Sequence, residues 1–160
     1  MQLLIISDTH GKDKLLRGLL TQYKGRVHAV LHLGDHDHDL LRLAGETALP
    51  LYAVAGNCDD GVLSPRELLQ PFGAFNVFMT HGNRLGVNEG MIRIILRARE
   101  VKAAVCLFGH THCNTVFCEQ DILFMNPGSL TDPRDKKPPS YGLLQLNEET
   151  GKASAEILHL

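Results

Sequence analysis

Short apolar runs that alternate with longer amphipathic stretches are the feature that most constrains the fold of this 160-residue chain. Each run is rich in β-forming side chains and precedes a polar or glycine-containing turn, which predicts buried strands. These strands are residues 3–6, 29–33, 51–55, 77–79 and 103–108. The stretches between them place apolar side chains on one helical face, so we expect crossover helices. Their apolar faces are Leu15, Leu16, Leu19 and Leu20, then Leu40, Leu41 and Ala44, and finally Met91, Ile94, Ile95 and Ala98.

After residue 110 the pattern changes to strands without helices, predicted at 115–118, 122–125, 142–146 and 153–158. Short polar turns separate them, which favours an antiparallel meander. The whole chain is therefore predicted to be α/β, with two stacked sheets and helices outside them. The proline-containing loop 131–139 is expected to join strands of a single domain that covers residues 1–160, because too few residues follow it to form a second core.

Composition argues against several classes of function. The 16 basic and 18 acidic side chains give a formal net charge of −2 and form no basic block, which disfavours nucleic acid as a partner. We expect no membrane association, because no apolar run approaches the roughly 20 residues of a membrane span. The start of the chain does not resemble a signal peptide, so we expect a cytoplasmic protein with four reduced cysteines. A homo-oligomer stays open.

Each of the first five predicted strands ends in side chains that bind metal ions. These ends are Ser7-Asp8-Thr9-His10, Gly34-Asp35, Gly56-Asn57-Cys58-Asp59, Thr80-His81-Gly82 and Gly109-His110-Thr111-His112. Ligands of α/β proteins bind beyond the carboxyl ends of the strands, so we expect the five ends to meet. Alternate residues of an extended segment point the same way, which predicts that Asp8 with His10, and His110 with His112, share an ion.

A single motif of this kind is more often an ordinary turn, but five at consecutive strand ends favour a metal site. The seven candidate ligands are Asp8, His10, Asp35, Asn57, His81, His110 and His112. Seven donors are too many for one catalytic zinc and suit two ions that share a ligand, as in sites that act on phosphorus. Carboxylate, amide and imidazole donors without thiolate favour Mn²⁺, Fe or Zn²⁺ over Ca²⁺.

The motifs DTH, GD, GNCD, THG and GHTH, in this order over residues 3–146, resemble the signature of the calcineurin-like metallophosphoesterase superfamily. The short chain and the segment NPGSLTDPR resemble its small bacterial and archaeal phosphodiesterase branch, to which the retromer subunit Vps29 is related. The resemblance implies a four-layer α/β/β/α sandwich of two mixed β-sheets. It also implies two divalent cations per chain, Mn²⁺ in the first place, with Fe, Ni, Zn or Mg as alternatives.

The resemblance further implies how the ligands divide. Asp8, His10 and His112 would hold one ion, Asn57, His81 and His110 would hold the other, and Asp35 would bridge them. A bridging hydroxide would then attack phosphorus. Asn57, His81 and Asp59 take the catalytic positions of the superfamily, and Asp59 is expected to orient neighbouring groups rather than to bind metal.

Two positions depart from the superfamily pattern. Cys58 stands where many relatives have a histidine that protonates the leaving group, and a thiol beside cations tends to be deprotonated. Asn83 replaces a second histidine, which puts one substrate contact in question. His36 and His38 are open between two readings: a contact with substrate or metal, and a polar loop in which Asp37 or Asp39 caps a helix. We favour the second.

These observations predict an enzyme, a metal-dependent phosphodiesterase that hydrolyses small phosphodiesters. Two divalent cations with Asp8, Asp35 and a bridging hydroxide leave about one net positive charge, which suits a monoanionic diester. A non-catalytic or weakly catalytic scaffold for protein interaction is one alternative, and a cyclic-nucleotide phosphodiesterase is another. A nuclease is disfavoured, because the chain lacks a basic face.

Overall fold

The chain folds into ten strands and three α-helices in the computed structural model, which describes residues 1–12 and 14–160 in full and residue 13 in its backbone alone. The strands are β1 (Gln2–Ile6), β2 (Ala29–His32), β3 (Leu51–Ala53), β4 (Glu67–Phe72), β5 (Phe75–Thr80), β6 (Val105–Leu107), β7 (Thr115–Glu119), β8 (Ile122–Asn126), β9 (Ser140–Asn147) and β10 (Lys152–His159). The helices are α1 (Asp13–Tyr23), α2 (Asp37–Leu41) and α3 (Ile92–Glu100). All except β4 overlap a predicted element.

The strands form two five-stranded sheets. The first has the order β10-β9-β1-β2-β3, in which β1, β2 and β3 are parallel and the β9–β10 hairpin is antiparallel to β1. The second has the order β4-β5-β6-β8-β7, in which β5, β6 and β8 are parallel and β4 and β7 are antiparallel edge strands. Both sheets are therefore mixed, as expected.

Successive side chains of the central strands enter different layers. Leu3 and Ile5 of β1 pack between the two sheets, whereas Leu4 and Ile6 pack against the helical layer that contains α1. In β6, Cys106 faces the layer of α3 and its two neighbours face the other sheet. This alternation follows from the two-residue period of a strand, and it explains why the runs are apolar throughout. The four-layer α/β/β/α arrangement is confirmed.

The helical faces of α1 and α3 largely match their predictions. In α1, Leu16, Leu19 and Leu20 are buried, but Leu15 is 39% exposed and lies outside the core. In α3, Ile94 and Ala98 are buried under the second sheet. The prediction for the second helix is less accurate. Leu40 and Leu43 are buried while Ala44 is exposed, because α2 ends at Leu41 and the chain continues as turns.

Two further expectations are wrong. β4 was not predicted, because Pro71 and polar residues interrupt its apolar pattern; it lies at a sheet edge, where proline is tolerated. The meander after residue 110 is also wrong. The β7–β8 and β9–β10 hairpins form, but β8 is parallel to β6, and the loop 131–139 carries the chain to the other sheet, where β9 pairs with β1. Among the described residues, no helix has the length and apolar character needed to cross a membrane.

Candidate metal centre

All seven predicted ligands lie in loops that follow strands of the two sheets. Asp8 and His10 follow β1, Asp35 follows β2, Asn57 follows β3, His81 follows β5, and His110 and His112 follow β6. Because β1, β2 and β3 are parallel, as are β5 and β6, their carboxyl ends lie at one edge of each sheet. This edge is where α/β proteins bind ligands.

Backbone turns, rather than extended segments, direct these side chains. Positive φ angles occur at Asp8 (54°), His10 (43°), Asp35 (56°), His110 (69°) and His112 (58°). Such angles are uncommon outside glycine, cost about 1–3 kcal/mol each and cluster at functional sites. The expectation that Asp8 and His10 alternate along an extended strand is therefore wrong, since β1 ends at Ile6 and the chain turns sharply beyond it.

One group of side chains surrounds Asp8. Asp8, His10, Asp35 and His112 each offer a ligand atom, and these atoms lie within 4.8 Å of one another. His112 Nε2 is 3.0 Å from Asp8 Oδ1, although Oδ1 accepts no hydrogen bond from the described residues. The rings of His10 and His112 have centroids 5.3 Å apart.

A second group, formed by His81 and His110, lies next to the first on the side of Asp35. His81 Nε2 is 3.4 Å from Asp35 Oδ1, and the ring centroids of His81 and His110 are 5.1 Å apart. Asn57 is exposed, and its amide donates to Cys58 Sγ at 3.4 Å. Asp35 thus contacts side chains of both groups.

Two of the histidines have a fixed tautomer. His81 Nδ1 is 2.7 Å from the carbonyl oxygen of Leu33, and His112 Nδ1 is 2.7 Å from that of Asp132. A carbonyl oxygen only accepts, so each Nδ1 carries the proton and donates it. The lone pair of Nε2 then faces the other ligands, which is the arrangement that metal-binding histidines usually have.

Three buried atoms of the site have no hydrogen-bond partner among the described residues: Asp8 Oδ1, His10 Nε2 and His81 Nε2. Asp8 is 0% exposed and His81 is 1% exposed, so water does not solvate these atoms freely. An unsatisfied buried polar atom costs about 1–3 kcal/mol. Several acceptors without donors, all of oxygen or imidazole type, fit the binding of divalent cations.

The electrostatics of the site keep both carboxylates ionised. Burial raises the pKa of Asp8, but His112 and the charge of His81 outweigh this effect, so the pKa lies below its usual value. Burial opposes ionisation of Asp35 as well, yet His81 and the N–H of Cys58 hold its pKa well below the usual range. Burial and the neighbouring His81 lower the pKa of His110, which leaves that imidazole neutral.

Glycine is required where two backbone segments approach the carboxylates. A Cβ on residue 56 would overlap Oδ1 of Asp35, and a Cβ on residue 109 would overlap Oγ of Ser7 and lie 3.0 Å from Asp8 Oδ2. The absence of a side chain at Gly56 and Gly109 therefore allows the loops to close around the site.

Residues 1–149 of the chain match the calcineurin-like phosphoesterase superfamily domain. The chain belongs to this superfamily. It is 33% identical over 149 residues to the probable metallophosphoesterase YsnB of Bacillus subtilis, and the match covers 93% of this chain and 86% of the relative. The expected enzyme class, a metallophosphoesterase, agrees with this membership.

Solved structures support the fold of this phosphoesterase. A predicted phosphoesterase from Streptococcus pneumoniae superposes with a TM-score of 0.84 at 28% identity, over 99% of this chain and 88% of the other. Vps29 from Entamoeba histolytica, complexed with Zn²⁺, superposes with a TM-score of 0.74 at 23% identity, over 99% and 98% of the two chains. The second likeness concerns the fold alone.

Asp59 of the phosphoesterase connects two ligand loops. Its Oδ1 accepts from the N–H groups of His36 (2.9 Å) and Asp37 (3.2 Å), and its Oδ2 accepts from the N–H of Gly56 (2.8 Å). The guanidinium of Arg66 donates to the carbonyl oxygens of Gly56 and Asp59. These bonds hold the loop after β2 against the loop after β3, and the orienting role of Asp59 stays a prediction.

A network behind the site was missed by sequence reasoning. Asp39 Oδ2 accepts from the Thr9 hydroxyl (2.8 Å) and from the N–H of Gly11 (2.7 Å). His32 Nε2 is 3.1 Å from the Thr9 hydroxyl, and its Nδ1 accepts from Gly34 N–H at 3.1 Å. Asp39 therefore holds the loop that carries Asp8 and His10. The helix-cap reading is wrong, since no side chain of the described residues caps α2.

The segment NPGSLT braces the same loops. The hydroxyls of Ser129 and Thr131 donate to the carbonyl oxygen of Asp8 at 2.9 and 3.1 Å. The amide of Asn126 donates to the carbonyl oxygen of Gly109 at 2.9 Å. No local sequence pattern predicts these contacts, because the partners of the side chains lie elsewhere in the chain.

Among the side chains of the protein, Cys58 contacts the carboxylate of Asp35. Its N–H donates to Asp35 Oδ1 at 2.8 Å, and its thiol donates to Asp35 Oδ2 at 3.3 Å. Partial desolvation and Asp35 raise the pKa of Cys58 to about 11. The surrounding side chains thus favour the protonated thiol, and a thiolate beside bound cations stays a prediction.

His36 borders the site more closely than the polar-loop reading implies. Its ring centroid is 5.1 Å from that of His10 and 5.2 Å from that of His38. Arg134 is connected to the site by its backbone N–H, which donates to the carbonyl oxygen of His112 at 3.2 Å.

Proposed function

We propose that this phosphoesterase is a metal-dependent phosphodiesterase that hydrolyses small phosphodiesters at a dinuclear metal centre. The observation that carries the proposal is the convergence of three buried, unpartnered atoms, Asp8 Oδ1, His10 Nε2 and His81 Nε2, at the strand ends. In this proposal Asp8, His10 and His112 would hold one ion, and Asn57, His81 and His110 would hold the other. Asp35, which lies beside side chains of both groups, would be a ligand of both ions.

Two bound cations would supply Lewis acidity and a hydroxide, shared between them, that attacks phosphorus. The chain contributes ionised carboxylates, because the pKa values of Asp8 and Asp35 are lowered. It also contributes imidazoles whose Nε2 lone pairs are free, since backbone carbonyls take the Nδ1 protons of His81 and His112.

Protonation of the leaving group limits the range of substrates. An efficient general acid has a pKa near the working pH, and the pKa of Cys58 is raised to about 11. This thiol is therefore a poor acid at neutral pH. We propose that the preferred substrates are diesters with good leaving groups, which need little protonation.

The net charge of the site is compatible with a diester, although a dianionic monoester would also be attracted, so the choice of diesters rests on the leaving group and not on charge. Two divalent cations with Asp8, Asp35 and a hydroxide leave about one positive charge, which matches a monoanionic diester. The mixture of carboxylate, amide and imidazole donors supports Mn²⁺, with Fe, Ni, Zn or Mg as alternatives. Four free cysteines support a reducing compartment, and we propose the cytoplasm.

The test begins with protein stripped by a chelator and reloaded with Mn²⁺. We expect bound metal by elemental analysis and Mn²⁺-dependent hydrolysis of bis(4-nitrophenyl) phosphate that exceeds hydrolysis of 4-nitrophenyl phosphate. A faster monoesterase reaction would show that the substrate class is wrong. Faster turnover of 3′,5′-cyclic nucleotides would favour the cyclic-nucleotide alternative. A protein that binds no metal and cleaves no ester would be a scaffold.

A further inference from the structure

Asp37 is a buried carboxylate outside the proposed set of seven ligands. It is 3% exposed, and its Oδ2 is a buried atom without a hydrogen-bond partner among the described residues. One of its oxygens lies within 4.8 Å of an imidazole nitrogen of His38 and of a carboxylate oxygen of Asp59. A buried carboxylate oxygen without a hydrogen-bond partner carries a desolvation cost when the group is ionised, and a bound cation would offset that cost.

The two neighbours of Asp37 retain capacity to bind a cation. A carboxylate has about four lone-pair sites, and Asp59 uses three of them for the N–H groups of His36, Asp37 and Gly56. His38 is partly exposed and offers an imidazole nitrogen.

A neighbouring cluster provides an internal comparison. His36, His38 and Asp39 also bring three ligand atoms within 4.8 Å. The carboxylate of Asp39, however, already accepts from Thr9, Gly11 and Arg42, at 2.8, 2.7 and 2.8 Å. It therefore needs no cation. The unpartnered oxygen is what distinguishes the cluster of Asp37.

We propose that Asp37, His38 and Asp59 bind a third divalent cation of the Mn²⁺ or Zn²⁺ class, separate from the dinuclear centre. The ligand atoms of such an ion lie about 3.4 Å apart, so side-chain shifts of up to about one ångström would close the site. Asp37 belongs to the segment after β2, and Asp59 to the loop after β3. The cation would therefore fix the two loops that carry Asp35 and Asn57.

The test compares Mn²⁺ content after equilibrium dialysis and elemental analysis. Asp37→Asn keeps the shape of the side chain and removes its charge, and Asp60→Asn makes the same change at an exposed position of the loop after β3. We expect Asp37→Asn to bind one Mn²⁺ fewer per chain than the wild type and Asp60→Asn. Equal Mn²⁺ content in all three proteins would overturn the proposal.

A second variant keeps the test valid if Asp37→Asn does not fold. His38→Ala alters a partly exposed side chain and should show the same loss of one ion, even where Asp37→Asn does not fold. Thermal unfolding gives an independent readout: Mn²⁺ should raise the Tm of Asp37→Asn less than that of the wild type. An equal rise would contradict the third site.

The third site does not rest on the proposed phosphodiesterase activity. If the wild type hydrolyses diesters but binds no more Mn²⁺ than Asp37→Asn, the third site is wrong and the proposed function stands. If Asp37→Asn loses one ion while no protein hydrolyses a phosphate ester, the proposed function fails and the third site stands.

Discussion

The candidate metal centre and the network behind it contain the same kinds of residue but differ in how completely these residues are hydrogen-bonded. In the supporting network, formed by Thr9, His32 and Asp39, each nitrogen and hydroxyl has a partner. In the metal centre, three buried atoms have none. His32 and His81 show the contrast most clearly, since both are buried and only His81 has a ring nitrogen without a partner.

The electrostatics of the two histidines differ in the same sense. Burial lowers the pKa of His32 to about 4, so this ring stays neutral within its network. Burial also acts against the charged form of His81, but Asp35 and Asp8 outweigh it and raise the pKa. Complete hydrogen bonding thus marks a supporting histidine, whereas a ring nitrogen without a partner beside carboxylates marks a candidate ligand.

The largest expected effect comes from removing a charge of the metal centre. Asp8→Asn keeps the size of the side chain but removes a carboxylate from the proposed ligands. Metal catalysis contributes several kcal/mol, so kcat/KM for the aryl diester should fall by about a thousandfold or more. Asp121→Asn, the same change in an exposed turn, should leave kcat/KM unchanged. Retention of a tenth of the activity in Asp8→Asn would contradict the ligand assignment.

The buried His32 of the network should make the free energy of unfolding depend on pH. The pKa of His32 is about 4 in the folded protein and about 6.5 in the unfolded chain, so the unfolded chain binds the proton first as pH falls. Wild type should lose about 3 kcal/mol of unfolding free energy through this residue between pH 6.5 and 4. The measurement is urea unfolding with chelator present. His32→Gln should lack this loss, and parallel curves for the two proteins would refute it.

A smaller effect should link the network to the metal centre. Thr9→Val keeps the shape of the side chain but removes the donor to Asp39 and the partner of His32. Because such outer contacts orient ligands, Mn²⁺ affinity should fall about 10- to 100-fold in a binding titration. Thr9→Ser restores the hydroxyl and should bind nearly as tightly as the wild type. Equal affinities for the two variants would show that the hydroxyl does not position the loop.

The part of the site that sequence could predict depends on local pattern. Short apolar runs followed by Asp, Asn or His locate both the strands and the candidate ligands, because parallel strands end at one edge of a sheet. The run 3–6 of β1 is apolar at every position, which likewise predicts that both faces of the strand are buried. These signals lie within a few residues of the positions they describe.

The rest depends on partners that are distant in the chain. Thr9 and Asp39 are 30 residues apart, and Ser129 lies 121 residues from Asp8, so no local pattern predicts either contact. The pairing of β9 with β1 is similarly remote. The positive φ angles at the ligands were missed for another reason: Asp and His adopt them more often than most side chains do, but most Asp and His residues still have negative φ, so the residue type alone does not locate them.

The smallest expected effect concerns Cys58, which is not a proposed ligand but donates hydrogen bonds to the proposed ligand Asp35. Cys58→Ala removes a weak thiol donor at 3.3 Å from Asp35 Oδ2, while the backbone N–H keeps its 2.8 Å bond to the same carboxylate. The loss should stay below about 1 kcal/mol, a two- to fivefold fall in kcat/KM, with Cys113→Ala as the control. The fall should be equal for 4-nitrophenyl and phenyl diesters. A larger fall with the poorer phenolate leaving group would instead make the Cys58 thiol a proton donor in the reaction.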